Sequence, residues 1–213
     1  MTRILLVRHG QSEANQQKVF AGSWDCSLTP LGISQAELTA QYIIGKHSVD
    51  RIYSSDLQRA YLTGKTIGDR LGMDVIPMVA LREIFAGLWE RTSFDQLPIM
   101  YPDSYDIWLN DIGNAVCDEG ESVAQLQHRV LQGLIGIAND NPDRTVVVVT
   151  HGTPIRAIQC FCEGKSLQQM KDVPWVSNAS VTELRFENQR LKIDSVSYDA
   201  HLGTLTSVLP ANC

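Results

Sequence analysis

The sequence has no apolar run long enough to cross a bilayer. Its longest, such as Thr145-Val146-Val147-Val148-Val149, suits a buried strand. It has no C-x-x-C pair, and its five cysteines (Cys26, Cys117, Cys160, Cys162, Cys213) do not combine with its five histidines at zinc-ligand spacing. Cys160 and Cys162, two apart on a predicted helix, point away from each other. Free thiols in a reducing cytoplasm are expected. Met1-Thr2-Arg3 leads straight into Ile4-Leu5-Leu6-Val7, which argues against a secretory signal. Positive charge is scarce too: 18 Lys and Arg against 24 Asp and Glu leave a net charge of -6, which speaks against nucleic acid or an anionic membrane as partner. Internal repeats, low-complexity stretches and linkers are missing, so residues 1–213 read as one domain, large enough to bury its own core. An acidic chain can hold an anion only by gathering positive charge locally, which turns attention to its histidines and arginines.

The pattern of elements starts with an apolar strand over 3–8 that stops at Arg8-His9-Gly10. Thr29-Pro30 signals a helix, Thr as cap and Pro in the first turn, running to about Gly45. A short strand at Asp50–Ser54 precedes a helix capped by Ser55 or Asp56 and reaching about Leu71. A strand over 74–77 carries Pro77, which places it at an edge. Residues 92–118 read as a lid-like insertion of loop and short helix. Glu119–Ser122 then opens a helix to about Asn139, with Leu126, Val130, Leu134 and Ile137 on one stripe. Strand 144–149, helix 154–162 and a hairpin of 179–186 with 190–198 complete the chain. This order predicts an α/β fold: a three-layer sandwich with a mixed, mostly parallel doubly wound sheet.

Two segments share a design, Leu5-Leu6-Val7-Arg8-His9-Gly10 and Val147-Val148-Val149-Thr150-His151-Gly152: apolar strand, His-Gly, helix. Ligands of open α/β sheets bind outside the carboxyl ends of parallel strands, so neighbouring strands would bring His9 and His151 face to face. Gly10 and Gly152 would let the backbone approach a ligand, and each following helix would offer free N–H groups. Arg8 lies beside His9, and Arg59 falls in the first turn of the helix whose strand ends at the same rim. Two guanidiniums and two imidazoles suit a tetrahedral dianion, with Asn15 as a further donor. Glu83, after the strand at 74–77, could protonate a leaving oxygen. Taken singly, a strand-end histidine is most often a packed or surface residue, Arg59 a helix-surface residue, and Glu83 solvated. Trp24, Trp89, Trp108 and Trp175 read as packing residues.

Arg8-His9-Gly10-Gln11-Ser12-Glu13-Ala14-Asn15 resembles the R-H-G-x-[ST]-x-x-N signature of the histidine phosphatase superfamily, in the phosphatase subgroup of its phosphoglycerate mutase-like branch. The similarity continues through Leu28-Thr29-Pro30-Leu31-Gly32, Tyr53–Ala60, Leu81-Arg82-Glu83, Trp89-Glu90, Gly120-Glu121-Ser122 and Thr150-His151-Gly152 to Asn178-Ala179-Ser180-Val181. The resemblance implies that His9 is transiently phosphorylated. Arg8, Arg59 and His151 would complete the phosphate clamp, and Glu83 would donate the proton. Gln11, Ser12, Asn15, the Gly22 amide and Gly152 would line the substrate pocket. It implies no metal and no cofactor. Ala21, Arg91 and Thr153 depart from residues common at their positions, all on the substrate side.

The expected activity is hydrolysis of a small phosphorylated metabolite through a phosphohistidine on His9. A cofactor-dependent phosphoglycerate mutase is the alternative, and a catalytically dead phosphate-binding relative a more distant one. Mutases of the family resemble the chain at the pocket but carry a basic insertion that holds the substrate carboxylate. Residues 92–128 here contain no Lys or Arg and seven Asp and Glu, which would repel a carboxylate. Phe94, Tyr101, Tyr105 and Trp108 in this segment suit an apolar or sugar-like leaving group as well as they suit packing of the lid. The expected partner is a small-molecule phosphate ester, and the oligomeric state stays open, a homodimer included.

Overall fold

The computed structural model describes residues 1–207, so Cys213 lies outside the described residues. Among the described residues six strands form one sheet: β1 (Thr2–Arg8), β2 (Arg51–Ser54), β3 (Val75–Pro77), β4 (Thr145–Thr150), β5 (Val181–Glu187) and β6 (Arg190–Tyr198). Their spatial order is β3-β2-β4-β1-β5-β6. The first four run parallel, while β5 is antiparallel to both β1 and β6. The sheet is therefore mixed and mostly parallel, with Pro77 on an edge strand, as the sequence predicts.

Alternation along the strands explains the layers. Ile4, Leu6, Val146 and Val148 face one core, packed with α6 (Val123–Asp140) and α7 (Gly152–Cys162). Leu5, Val7, Val147 and Val149 face the other, packed with α2 (Pro30–Lys46) and α3 (Gln58–Leu71). The stripe Leu126, Val130, Leu134 and Ile137 is buried on α6. Ser122 and Gln125 close a capping box at its start, worth on the order of 1 kcal/mol.

Three expectations need correction. Neither Ser55 nor Asp56 is the cap residue of α3. Leu57 holds that position without a side-chain bond, and the Asp25 carboxylate accepts the Gln58 N–H at 2.6 Å from across the fold. Asp56 is instead engaged by Arg82 at 2.5 and 2.7 Å. The helix expected from 154 begins at Gly152, so His151 itself is the N-cap residue of α7. Gly10 does not make room for a ligand: a Cβ there would meet the Gly32 carbonyl oxygen at 2.4 Å, because the strand exit crosses the start of α2.

A further short helix, α1 (Glu13–Gln17), follows the first His-Gly pair under a Ser12–Asn15 capping box. The segment 92–118 folds as α4 (Leu97–Met100), α5 (Pro102–Asn110) and a 3-10 turn at Ile112–Asn114. Among the described residues no helix is long and apolar enough to cross a membrane.

Candidate active site

Strand register places the two histidines together. Arg8 on β1 pairs with Thr150 on β4, so His9 and His151 leave adjacent parallel strands at the same level. Their ring centroids lie 5.1 Å apart in an edge-on arrangement. His9 is pinned through its backbone: its N–H donates to the Thr150 carbonyl at 3.0 Å, and its own carbonyl accepts from the Ala179 N–H and the Asn178 amide.

The His9 ring has one fixed partner, the Gly10 carbonyl oxygen, 2.6 Å from Nδ1. A carbonyl only accepts, so the proton sits on Nδ1 and Nε2 keeps its lone pair. His151 Nε2 lies 2.8 Å from the Ser55 hydroxyl, at the end of β2. Burial, then the positive charge of Arg59, then that of Arg8 hold the His9 pKa well below its ordinary value. Burial, Arg59 and the neighbouring His9 do the same for His151. Both imidazoles are thus neutral near pH 7, and the fixed charge comes from two buried arginines.

Each arginine also shapes its surroundings. Arg8 donates to the Val176 carbonyl at 2.5 Å, and its guanidinium lies against Gly152, where an added Cβ would touch it at 3.4 Å. Arg59 donates to the carbonyls of Gly22 (2.8 Å) and Trp24 (2.9 Å), which folds the 21–26 loop over the site. Gly22 has φ of +50°, and a Cβ there would come within 2.7 Å of both Ala86 Cβ and Glu90 Oε1. Glu90 braces this loop by accepting the Ser23 N–H at 2.7 Å.

A pocket opens over these groups. Arg8, His9, Ser12, Asn15, Gly22, Arg59, Glu83 and Gly152 line it, eight of the ten residues proposed from the sequence. Asn15 Oδ1 is taken by Ser12 and Asn178, which leaves its NH2 as the donating group. Glu83 Oε1 accepts the Ile84 N–H at 2.9 Å, and Oε2 accepts the Thr153 N–H at 3.4 Å, at the start of α7.

The other two residues are not among the lining. His151 sits behind His9. Gln11 turns to the start of α2, where its Oε1 accepts the Thr29 hydroxyl at 2.8 Å. The lid aromatics divide: Phe94 and Trp108 line the pocket, whereas Tyr101 and Tyr105 pack on Trp89. Trp175, read from sequence as packing, lines it as well.

Sequence reasoning missed Ser55 as the His151 partner, Asn178 as the link between His9 and Asn15, and Arg129. Arg129, on α6, donates to the carbonyls of Ala80, Arg82 and Glu83 while Glu121 holds its guanidinium. Ser55 and Asn178 stand in matched motifs, which was the one hint; nothing in the sequence pointed to Arg129. Among the described residues no cluster of three or more His, Cys, Asp or Glu could hold a metal ion.

The fold and pocket define an α/β protein with a compact anion site at the carboxyl rim of its parallel strands. The histidine phosphatase superfamily (branch 1) model matches residues 4–199, and the chain belongs to that superfamily. Phosphoserine phosphatase 1 of Hydrogenobacter thermophilus is 32% identical over 203 residues, covering 95% of each chain. The mycobacterial glucosyl-3-phosphoglycerate phosphatase solved in complex with VO3 superposes with a TM-score of 0.84 at 30% identity, covering 92% of this chain and 98% of that one. A phosphoserine phosphatase from Entamoeba histolytica, solved with phosphoserine, gives 0.84 at 28% identity over 95% of this chain and 100% of that one.

Proposed function

We propose that this chain is a phosphomonoesterase that passes the phosphoryl group of a small phosphate ester to His9 and then to water. The observation that carries the reading is the 2.6 Å bond between His9 Nδ1 and the Gly10 carbonyl, which leaves Nε2 free to attack in a buried, cation-flanked pocket. The His9 Nε2–P bond forms as the ester P–O bond breaks. Glu83 gives its proton to the leaving oxygen. Water then attacks phosphorus, the N–P bond breaks, and the Glu83 carboxylate takes the proton from water. Arg8, Arg59, the Asn15 NH2 and the Gly22 amide meet the charge on the equatorial oxygens without rearranging, the main resource for phosphoryl transfer, while Ser12 holds Asn15 in place. His151 supports the His9 ring from behind.

Hydrolysis is favoured over a mutase because residues 92–128 hold no Lys or Arg to receive a second anionic group. The relatives named above are phosphatases. In this reading residues 1–213 act as one domain with 92–118 as its cover, supported by a single sheet that all six strands share. Four unpaired cysteines, Cys26, Cys117, Cys160 and Cys162, support a cytoplasmic home.

Rapid quenching during turnover tests the proposal. An acid-labile, alkali-stable phosphoramidate should accumulate on His9, survive EDTA in the assay, and vanish in His9→Ala together with activity. Full turnover by His9→Ala would end it.

A further inference from the structure

We infer that the pocket takes esters of uncharged, apolar or aromatic alcohols, and disfavours those of amino acids and carboxylic acids. The inference rests on the phosphomonoesterase reading. It concerns what surrounds the clamp. Beyond the phosphate-binding groups and the small residues Ala21 and Thr153, the walls are Val19, Phe20, Phe94, Trp108 and Trp175. The aromatic part is held rigidly: Phe20 packs edge-on to Trp108 at 5.1 Å, and Trp108 packs edge-on to Trp89 at 5.8 Å. A preformed aromatic wall of this kind binds flat or bulky apolar groups without ordering cost.

The charged groups nearby are committed elsewhere. Among the described residues Glu83 is the one carboxylate in the lining, and both of its oxygens already accept backbone N–H groups, of Ile84 and Thr153, so a substrate ammonium finds no uncommitted counter-ion. Arg8 and Arg59 belong to the phosphate. Arg156 stacks on Trp175 at 4.4 Å, but it is buried and donates to the carbonyls of Val173 and Lys171. Arg91 lies over Trp24 at 5.1 Å, outside the lining. Asp118, at the end of the lid, is held by Trp89 and Ser104, and Glu121, beyond it, by Arg129. A substrate carrying both an ammonium and a carboxylate would leave each desolvated and unpaired.

Steady-state kinetics on the full chain distinguishes the outcomes, using benzyl phosphate, ethyl phosphate, O-phosphoserine and 3-phosphoglycerate. All four are esters of aliphatic alcohols that need a proton to leave, so intrinsic reactivity is comparable. Benzyl phosphate should exceed O-phosphoserine and 3-phosphoglycerate in kcat/KM by about 100-fold or more. Phe94→Ala should shrink the benzyl-to-ethyl ratio by roughly 10-fold, and Phe94→Arg should raise 3-phosphoglycerate relative to benzyl phosphate.

Equal or better turnover of O-phosphoserine overturns the inference. So does 3-phosphoglycerate preference that Arg91→Ala removes. In either case hydrolysis of p-nitrophenyl phosphate with a trapped phosphohistidine would leave the parent reading standing. Failure on every ester, p-nitrophenyl phosphate included, would remove both.

Discussion

Arg129→Met separates fold stability from the placement of Glu83. The Arg129 guanidinium bonds the carbonyls of Ala80 (3.0 Å), Arg82 (3.0 Å) and Glu83 (3.3 Å), and meets both Glu121 oxygens at 3.0 and 2.7 Å. Methionine fills similar volume but removes every donor and deprives the Glu121 carboxylate of its cation, leaving it the Phe85 N–H. Breaking a buried pair costs about 3–5 kcal/mol. These side chains are 25% and 15% exposed, so water restores part of the loss. A net cost of about 2–3 kcal/mol follows, or roughly 5–10 °C in Tm at this chain length. The freed 80–83 backbone also loosens Glu83, and a shift near 1 Å is worth on the order of 100-fold in rate.

The loss should depend on the leaving group. An alkyl phosphate, which needs the proton from Glu83, should slow by about 10–100-fold in kcat. p-Nitrophenyl phosphate, whose phenolate leaves unaided, should change little, and inhibition by inorganic phosphate should hold. Thermal melts and kcat on the two esters measure both effects. If the variant melts as predicted yet slows both esters equally, Arg129 does not act through Glu83, and the reasoning is refuted.

Other consequences follow from the same geometry. Glu83→Gln should bind phosphate as before but cut kcat on alkyl esters by about 10²–10⁴; unchanged kcat would remove Glu83 from the proton-donor role. Gly22→Ala forces a Cβ onto Ala86 and Glu90 at a positive φ, at a cost of about 1–3 kcal/mol, and pulls the loop off Arg59. It should raise KM and lower Tm together, and a normal KM would count against the Gly22 loop as part of the clamp.

The histidines predict the pH response of the free enzyme. Their folded pKa values lie below the unfolded value of about 6.5, so the folded state binds fewer protons in that window. Their contribution to stability is complete above pH 6.5 and is lost as pH falls toward the folded values. Tm should therefore fall on acidification, roughly 2–4 °C for each kcal/mol lost. His151→Gln, which keeps a partner for Ser55 but cannot titrate, should show a shallower slope; identical slopes in melts from pH 7 to 5 would contradict the assignment.

Much of the scaffold was legible because its cues are local. The valine run of β4, the Thr29-Pro30 start of α2 and the α6 stripe each announce themselves within one element. What misled were contacts between distant segments. The cap of α3 comes from Asp25, which no local pattern can reveal. Gly10 is required by the backbone of Gly32, a crossing that exists only after folding. Gln11 matched a motif position, yet its side chain finds Thr29.

Residue types and their order along the chain were enough to determine the kind of chemistry: His-Gly at two strand ends, arginines near the rim, and a carboxylic acid downstream. Tertiary structure alone decided which ring nitrogen of His9 is free, since that depends on a carbonyl 2.6 Å away. It alone decided that Trp175 and Trp108 share a wall, and that α6 reaches the backbone of Glu83 through Arg129. The reason is one of range. Propensity, capping and periodicity act within a few residues, whereas hydrogen-bond direction, burial and charge neighbourhood are set by atoms that the sequence holds far apart.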